Sequence, residues 1–213
     1  MSLVISKKNK LIFFHIPKNA GTSVSNLLLK DENFYYPWVI LSKILRKFKK
    51  TDNFFFDNFQ KKIYLFTSHE TVKTIEKKIS SEIYDNFFKF AVVRNPYSRF
   101  VSRYNYMKLT NTLKELNFPE FLKKHVELSL IADQQYKFLL NKNGKIGVNK
   151  IIRFENINEE MTEFSKVNNL KLSKFKKLNI STTENYKDYY DTNTKKIVED
   201  FCKEDLEFFN YSF

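Results

Sequence analysis

Two stretches of this chain place cations and hydroxyl groups directly after apolar runs, a pattern suited to binding anions. In the first, the run Leu11–Ile16 has the composition of a strand and ends at Pro17. A turn of small residues follows, and helical spacing predicts a helix over Thr22–Lys30. A strand that leads through a tight turn into a helix start directs backbone N–H groups and the positive helix end to one point. This geometry favours phosphate or sulfate.

The side chains of this turn add a mobile cation and hydroxyl donors. The candidate anion-binding residues are Pro17, Lys18, Asn19, Ala20, Gly21, Thr22 and Ser23. The turn is not a Walker A loop, because there the lysine directly precedes the hydroxyl residue, whereas here the lysine precedes the glycine. An ordinary strand–turn–helix connection with a surface lysine remains the alternative for this segment alone.

The second stretch begins with another strand-like run, Phe87–Val93, which Arg94 follows at once. Pro96 suits the first turn of a helix. An arginine at the carboxyl end of a strand, with Ser102 on the following helix, predicts a site for a second phosphate. We expect the other two arginines of this helix, at positions 99 and 103, to form a solvated stripe.

Together the two stretches resemble the donor-binding motifs of the sulfotransferase superfamily, whose donor is 3′-phosphoadenosine 5′-phosphosulfate. Residues 17–23 are similar to its 5′-phosphosulfate loop, and residues 94–102 to its 3′-phosphate motif. The form His-Ile-Pro-Lys-x-Ala-Gly-Thr-Ser is typical of the family 2 type branch that holds many carbohydrate sulfotransferases. The chain departs from the family at Asn19, where Thr is common, and at Ser98, where Asp is common.

The resemblance implies a division of roles. The loop would hold the 5′-phosphosulfate, and Lys18 would stabilise the charge that grows as the S–O bond breaks. Arg94 and Ser102 would hold the 3′-phosphate. The product would be adenosine 3′,5′-bisphosphate, and the acceptor a hydroxyl group, best assigned to a carbohydrate.

His69 is our predicted catalytic base. It follows a predicted strand, Ile63–Thr67, and precedes a predicted helix, Thr71–Ile79. Ligands collect at the carboxyl ends of parallel strands, and imidazole has a suitable pKa to take a proton from an acceptor hydroxyl. The family often has Gly-His here, with that histidine proposed as the base. A histidine that caps the helix is the alternative.

The two other histidines are expected to have supporting roles. His15 lies beside the loop and would orient it by a hydrogen bond, whereas His125 would be a surface or packing residue. Histidine, cysteine and carboxylate residues nowhere have the spacing of metal ligands, so we expect no metal.

Composition sets the remaining bounds. A chain of 213 residues is most simply one domain, residues 1–213. Strand-like runs that alternate with helical patterns predict a three-layer, P-loop-like α/β fold with a mostly parallel central sheet flanked by helices. The single cysteine, Cys202, cannot form an internal disulfide and is expected to be buried, which favours a reducing compartment.

The formal net charge is +13, and such a surface attracts anions in general. An acidic glycan would therefore suit as acceptor. The apolar run after the N-terminal lysines is too short for a signal peptide or a membrane span, so we expect a cytoplasmic, bacterial-type enzyme. A basic amphipathic segment, Trp38–Phe48, is expected to be a packed helix with a solvated face, and peripheral membrane contact is the alternative. A late loop closes over the nucleotide in relatives, which nominates Lys174, Lys176 or Lys177.

Two other functions stay open. A P-loop-type nucleotide or small-molecule kinase has a similar core, but the Gly-Lys-Ser/Thr order and an obvious magnesium-binding carboxylate are missing. A basic nucleic-acid-binding protein would fit the charge, although no recognised binding module is present and no specific nucleic acid is expected. A sulfotransferase-like protein that has lost its activity is a third alternative.

Overall fold

A computed structural model describes residues 3–35, 69–110, 116–130, 133–170, 172 and 185–213. The predicted strand 63–67, the basic amphipathic segment 38–48 and the three lysines of the late loop lie outside the described residues.

The described chain contains a five-stranded sheet in the order β3-β1-β2-β4-β5. Its strands are β1 (Leu3–Ser6), β2 (Leu11–Phe14), β3 (Phe34–Tyr35), β4 (Phe88–Val93) and β5 (Lys150–Arg153). Strands β2, β4 and β5 run parallel to one another. Strand β1 is antiparallel to both of its neighbours, β2 and β3.

The sheet is therefore mixed, and the prediction of a mostly parallel sheet was wrong. The connection between β1 and β2 explains this result. A turn at residues 7–10 joins the two strands, and the N–H of Asn9 donates to Ser6 Oγ at 3.1 Å. Such a short turn can join only antiparallel strands, because a parallel pair needs a long crossover. The strand before this turn was not predicted from the sequence, because it is short and three lysines follow it closely.

Nine helices lie in the described residues, together with two short 3₁₀ turns at 154–156 and 186–189. The helices are α1 (Gly21–Leu28), α2 (Val72–Lys78), α3 (Ser81–Asn86), α4 (Pro96–Leu109), α5 (Phe118–Glu127), α6 (Gln135–Phe138), α7 (Ile157–Val167), α8 (Thr192–Phe201) and α9 (Lys203–Phe208).

Strands β2 and β4 are buried on both faces, which is why their sequences are continuous apolar runs. On one face, Phe13 and Phe90 pack with residues of α1 and α7. On the other face, Phe14 and Val93 pack with residues of α2, α6 and the segment after α9. Helices therefore cover both faces of the sheet, as the three-layer prediction required.

A third apolar cluster joins α4, α5 and α8, and it holds α4 in place beside the sheet. Cys202 is buried in this cluster, as expected. Among the helices described here, none combines the length and apolar character needed to cross a membrane.

Candidate functional site

The loop after β2 has a strained backbone. Lys18 and Ala20 adopt left-handed conformations, with φ of 66° and 56°, and α1 begins at Gly21. Such conformations cost about 1–3 kcal/mol for residues other than glycine and persist only where the surroundings fix them. Left-handed residues next to a helix start form the backbone concavities that bind anions.

Gly21 is required by space rather than by its own φ angle. A Cβ atom at this position would lie 1.8 Å from Cδ2 of His15, so no side chain fits there. The His15 ring in turn lies 5.2 Å from the His69 ring, in an edge-to-face arrangement. His15 thus lies beside the loop as predicted, and it also brings the loop next to His69.

Asn19 anchors the loop to the rest of the fold. Its side chain is fully buried, and its Nδ2 donates to the carbonyl of Val92 at 2.8 Å and to Gln135 Oε1 at 2.6 Å. Val92 belongs to β4, the neighbouring parallel strand. The residue at which this chain departs from the family's usual threonine therefore ties the loop to the strand that carries the second motif.

Arg99 also holds the loop, from the side of α4. Only 3% of this residue is exposed. Its Nε donates to the carbonyl of Pro17 at 3.0 Å, and its Nη1 donates to the carbonyl of Asp133 at 2.9 Å. Arg103 Nη1 donates to Asp133 Oδ1 at 2.8 Å. The prediction of a solvated stripe was therefore wrong, because a buried carboxylate far along the chain pairs with both arginines.

Asp133 is the centre of this buried charge cluster. Its Oδ2 lies 2.7 Å from His125 Nε2. Burial by itself raises the pKa of Asp133, but the hydrogen bond with His125 and the charges of Arg99 and Arg103 outweigh burial and lower the pKa. The carboxylate is thus ionised. His125 is buried and packs on Phe121, which fits a packing residue, but its contact with Asp133 was not predicted.

Arg94 connects the two motifs. Its Nε donates to Ser98 Oγ at 2.8 Å, and its Nη1 donates to the carbonyl of Lys18 at 3.4 Å. Its guanidinium carbon lies 4.2 Å from the centre of the Phe154 ring. Burial lowers its pKa to about 10, so the side chain stays charged at neutral pH.

The serine that contacts Arg94 is Ser98, at which this chain departs from the family's usual aspartate. Ser98 thus takes part in orienting the arginine. Ser102, the predicted phosphate ligand, lies one turn further along α4 and is 7% exposed. Both hydroxyls are on the helix that Arg94 precedes.

Lys18 lies in a cluster of positive charge. Its Nζ is 4.1 Å from the centre of the Tyr106 ring. Burial is the main reason that its pKa falls to about 8, and the charges of Arg94, Arg103 and Arg99 lower the pKa further. A bound anion would offset this repulsion.

His69 is neutral at neutral pH. Burial is the main cause that lowers its pKa to about 4, and Arg103 and Arg99 add to the effect. Nδ1 of its ring is buried and has no hydrogen-bond partner in the described structure. The predicted capping alternative was wrong, because Thr71 is the residue that caps α2 and accepts from the N–H of Thr74 at 3.2 Å. The imidazole is therefore unprotonated at neutral pH, and burial makes it a weaker base than an exposed histidine.

Sequence reasoning missed Gln135, which is fully buried between the two motifs. Its Oε1 accepts from Asn19 Nδ2 and from the N–H of Arg94. No local pattern marks this residue, because all of its partners are distant in sequence. Within the ranges that the structure describes, no group of three or more histidine, cysteine and carboxylate residues could hold a metal ion.

Comparison with known proteins supports the family resemblance that the two motifs suggested. The model of the sulfotransferase family matches residues 1–212. The chain is also 28% identical over 113 residues to an uncharacterized protein of Archaeoglobus fulgidus, a match that covers 53% of this chain and 93% of that protein. No solved structure matches the chain significantly. Because the family model covers nearly all of it, the chain belongs to the sulfotransferase family.

Proposed function

We propose that this protein transfers a sulfuryl group from 3′-phosphoadenosine 5′-phosphosulfate to a hydroxyl group of a carbohydrate and releases adenosine 3′,5′-bisphosphate. The observation that carries this proposal is the meeting of the two motifs. Arg94 at the end of β4 donates to the carbonyl of Lys18 in the loop after β2. The charge of Arg94 also lowers the pKa of Lys18, so two cations from separate, P-loop-like strand ends lie near each other, as a donor with two anionic groups requires.

The residues present fit such a donor. The loop 17–23 supplies backbone N–H groups at the start of α1, the hydroxyls of Thr22 and Ser23, and the ammonium of Lys18, which suit the 5′-phosphosulfate. Arg94 is held by Ser98 and stacked on Phe154, so its guanidinium is preorganised for the 3′-phosphate. Ser102 would add a hydroxyl donor on the same helix.

Lys18 would act on the bond that breaks. When the S–O bond of the donor cleaves, negative charge grows on the oxygen that remains with the phosphate. An ammonium group in a partly buried site stabilises such charge far better than it would in water. The pKa of Lys18 is about 8, so its ammonium is protonated at neutral pH, and an anion that offsets the arginine charges would raise that pKa further.

His69 would take the proton from the acceptor hydroxyl while the acceptor oxygen attacks sulfur in line with the leaving oxygen. Its imidazole is neutral at neutral pH, which a base requires. We expect His69→Ala to lower turnover about 100- to 10,000-fold and to leave the affinity for adenosine 3′,5′-bisphosphate unchanged. Unchanged turnover would rule out His69 as the base.

The acceptor is assigned to a carbohydrate because the loop sequence is typical of the branch that holds many carbohydrate sulfotransferases. The net charge of +13 favours an acidic glycan. Tyr106 is 53% exposed beside Lys18, and its ring offers an aromatic surface for a sugar next to the reacting group.

Calorimetric titration of the intact chain with adenosine 3′,5′-bisphosphate, AMP and ATP, all without magnesium, tests the donor class. We expect the bisphosphate to bind most tightly, because it alone carries both a 3′- and a 5′-phosphate. A preference for ATP, or no binding of the bisphosphate, would overturn the proposal. Transfer of labelled sulfate to a panel of neutral and acidic glycans then tests the acceptor.

A further inference from the structure

Gln135 forms hydrogen bonds with both motifs, although the sequence predicted no role for this residue. Its Oε1 accepts from Asn19 Nδ2 at 2.6 Å and from the N–H of Arg94 at 2.9 Å. Its Nε2 donates to the carbonyl of Arg94 at 2.8 Å. The buried amide of Gln135 thus bonds to the loop through its oxygen, and it bonds to both the N–H and the carbonyl of Arg94.

A second buried residue fixes the position of Gln135. Asp205 Oδ2 accepts from the N–H of Gln135 at 2.9 Å, and its Oδ1 accepts from the N–H of Tyr136 at 2.6 Å. Asp205 Oδ2 also lies 3.3 Å from Gln135 Nε2. The side-chain amide therefore has all of its donors and acceptors engaged and has no second orientation that satisfies them.

We propose that Gln135 is a positioning residue that sets the spacing between the two anion-binding halves of the donor site. This inference rests on the proposed function. The 5′ and 3′ groups of the donor are joined covalently, so they bind together only when the loop and the end of β4 are correctly spaced. Small displacements of such binding groups have large effects on binding and rate. Gln135 itself touches neither group and acts through Asn19 and the Arg94 backbone.

The neighbouring Gln134 provides a matched control. It has the same side chain at the start of the same helix, but its Nε2 donates to the carbonyl of Phe201 at 3.2 Å, in the helix α8. Gln135→Met and Gln134→Met each remove one amide and keep the length of the side chain.

We expect Gln135→Met to weaken calorimetric binding of adenosine 3′,5′-bisphosphate at least about 10-fold, because small displacements of binding groups have effects of this order or larger, and Gln134→Met to change it less than twofold. An affinity of Gln135→Met within twofold of the parent protein would overturn the inference. If Gln135→Met does not fold, Asn19→Ala removes the loop end of the same link together with the bond from Asn19 to Val92 and must weaken binding as well. Unchanged binding in that variant would also overturn the inference.

A double-mutant cycle separates positioning from general stabilisation. If Gln135 acts through Asn19, the variant with both Asn19→Ala and Gln135→Met should bind the bisphosphate no more than about twofold more weakly than the weaker single variant. Fully additive losses would mean that the two residues act independently, and they would overturn the coupling.

Amide hydrogen exchange of the ligand-free protein provides a readout that does not depend on the donor. We expect exchange at the amides of residues 18–23 and of Arg94 to be at least about 10-fold faster in Gln135→Met, with no change in Gln134→Met. If the parent protein failed to bind the bisphosphate, the proposed function would fail, yet exchange would still test the positioning role. Unchanged exchange in Gln135→Met would overturn it.

Discussion

The loop 17–23 and the start of α4 both face the proposed donor, yet they are built in different ways. The start of α4 has local contacts of its own in addition to the distant ones, which Gln135 makes with the Arg94 backbone and Glu155 with the N–H of Asn95. Asn95 accepts from the N–H of Tyr97 at 3.0 Å, Pro96 occupies the first turn, and Arg94 is held by Ser98, which is four residues on. These features are local caps and turns that a helix forms without the rest of the fold.

The loop depends on distant residues. Asn19 bonds to Val92, which is 73 positions away, and Pro17 bonds to Arg99, which is 82 positions away. Its left-handed residues cost free energy that only these contacts offset. The comparison teaches that the start of α4 has caps of its own beside its distant contacts, whereas the loop, the half that we assign to the chemistry, takes its shape only when the whole fold has formed.

The assignment of the chemistry to the loop and of binding to the start of α4 is tested most strongly at Lys18. We expect Lys18→Ala to lower turnover about 100- to 1,000-fold, because it removes the cation that stabilises the leaving oxygen, and to weaken bisphosphate binding only a few-fold. Steady-state kinetics at saturating donor measure the effect. Lys8→Ala, in the exposed turn after β1, is the control. A large loss of affinity with unchanged turnover would break the comparison.

At Arg94 we expect the opposite result, which is a large loss of affinity with a small change in turnover. Arg94→Ala should weaken binding of adenosine 3′,5′-bisphosphate about 10- to 100-fold, since a hydrogen bond to a charged group contributes about 1.5–3 kcal/mol. Turnover at saturating donor should change much less. Arg153→Ala at the end of β5 is a matched control, because that arginine stacks on Tyr211 rather than facing the loop. Unchanged affinity in Arg94→Ala would refute the 3′-phosphate assignment.

Much of the fold was predictable because its signals are local. The apolar runs that form β2 and β4 are continuous, and the bounds of α2 lie within one residue of the helix predicted over Thr71–Ile79. The error lay in the sheet direction. Strand β1 has the apolar, β-branched composition of a strand, but it is only four residues long and a lysine-rich turn follows it, so it was not predicted. Its antiparallel pairing depends on the turn rather than on the strand.

The site residues were predictable only where they belong to a recognisable motif. Lys18 and Arg94 stand in recognisable stretches, and the structure brings them together. Arg99 looked like a solvated residue, because helical spacing shows which residues share a face but not that Asp133 lies against that face. Gln135 was invisible for the same reason. Tertiary partners decide the role of a polar residue, and a single sequence does not show them.

A substitution at Gly21 tests the difference between the strained loop and the start of α4. Gly21→Ala forces a methyl group into the His15 ring and should lower the free energy of unfolding by about 1–3 kcal/mol, with weaker bisphosphate binding. Gly144→Ala is the control. That residue has a φ of 70° and open space around it, so it should lose only about 1 kcal/mol and keep its affinity. Chemical denaturation and calorimetry measure both, and equal binding in the two variants would contradict the steric role of Gly21.

The two cations also differ in how they titrate. The pKa of Lys18 is about 8, whereas that of Arg94 is about 10. A bound anion favours the ammonium and raises the pKa of Lys18, so affinity should be complete below pH 8 and fall as pH rises through 8. The loss should level off at about the few-fold weakening expected for Lys18→Ala, because deprotonation removes the same charge, and its slope cannot exceed about tenfold per pH unit for one proton. Titrations with the bisphosphate between pH 6.5 and pH 9.5, chosen at about 1.5 units to either side of that pKa, measure this dependence. Lys18→Arg keeps its charge and should bind independently of pH in this window, because arginine does not lose its proton there. A parent protein with the same flat profile would show that Lys18 does not contact the bound anion.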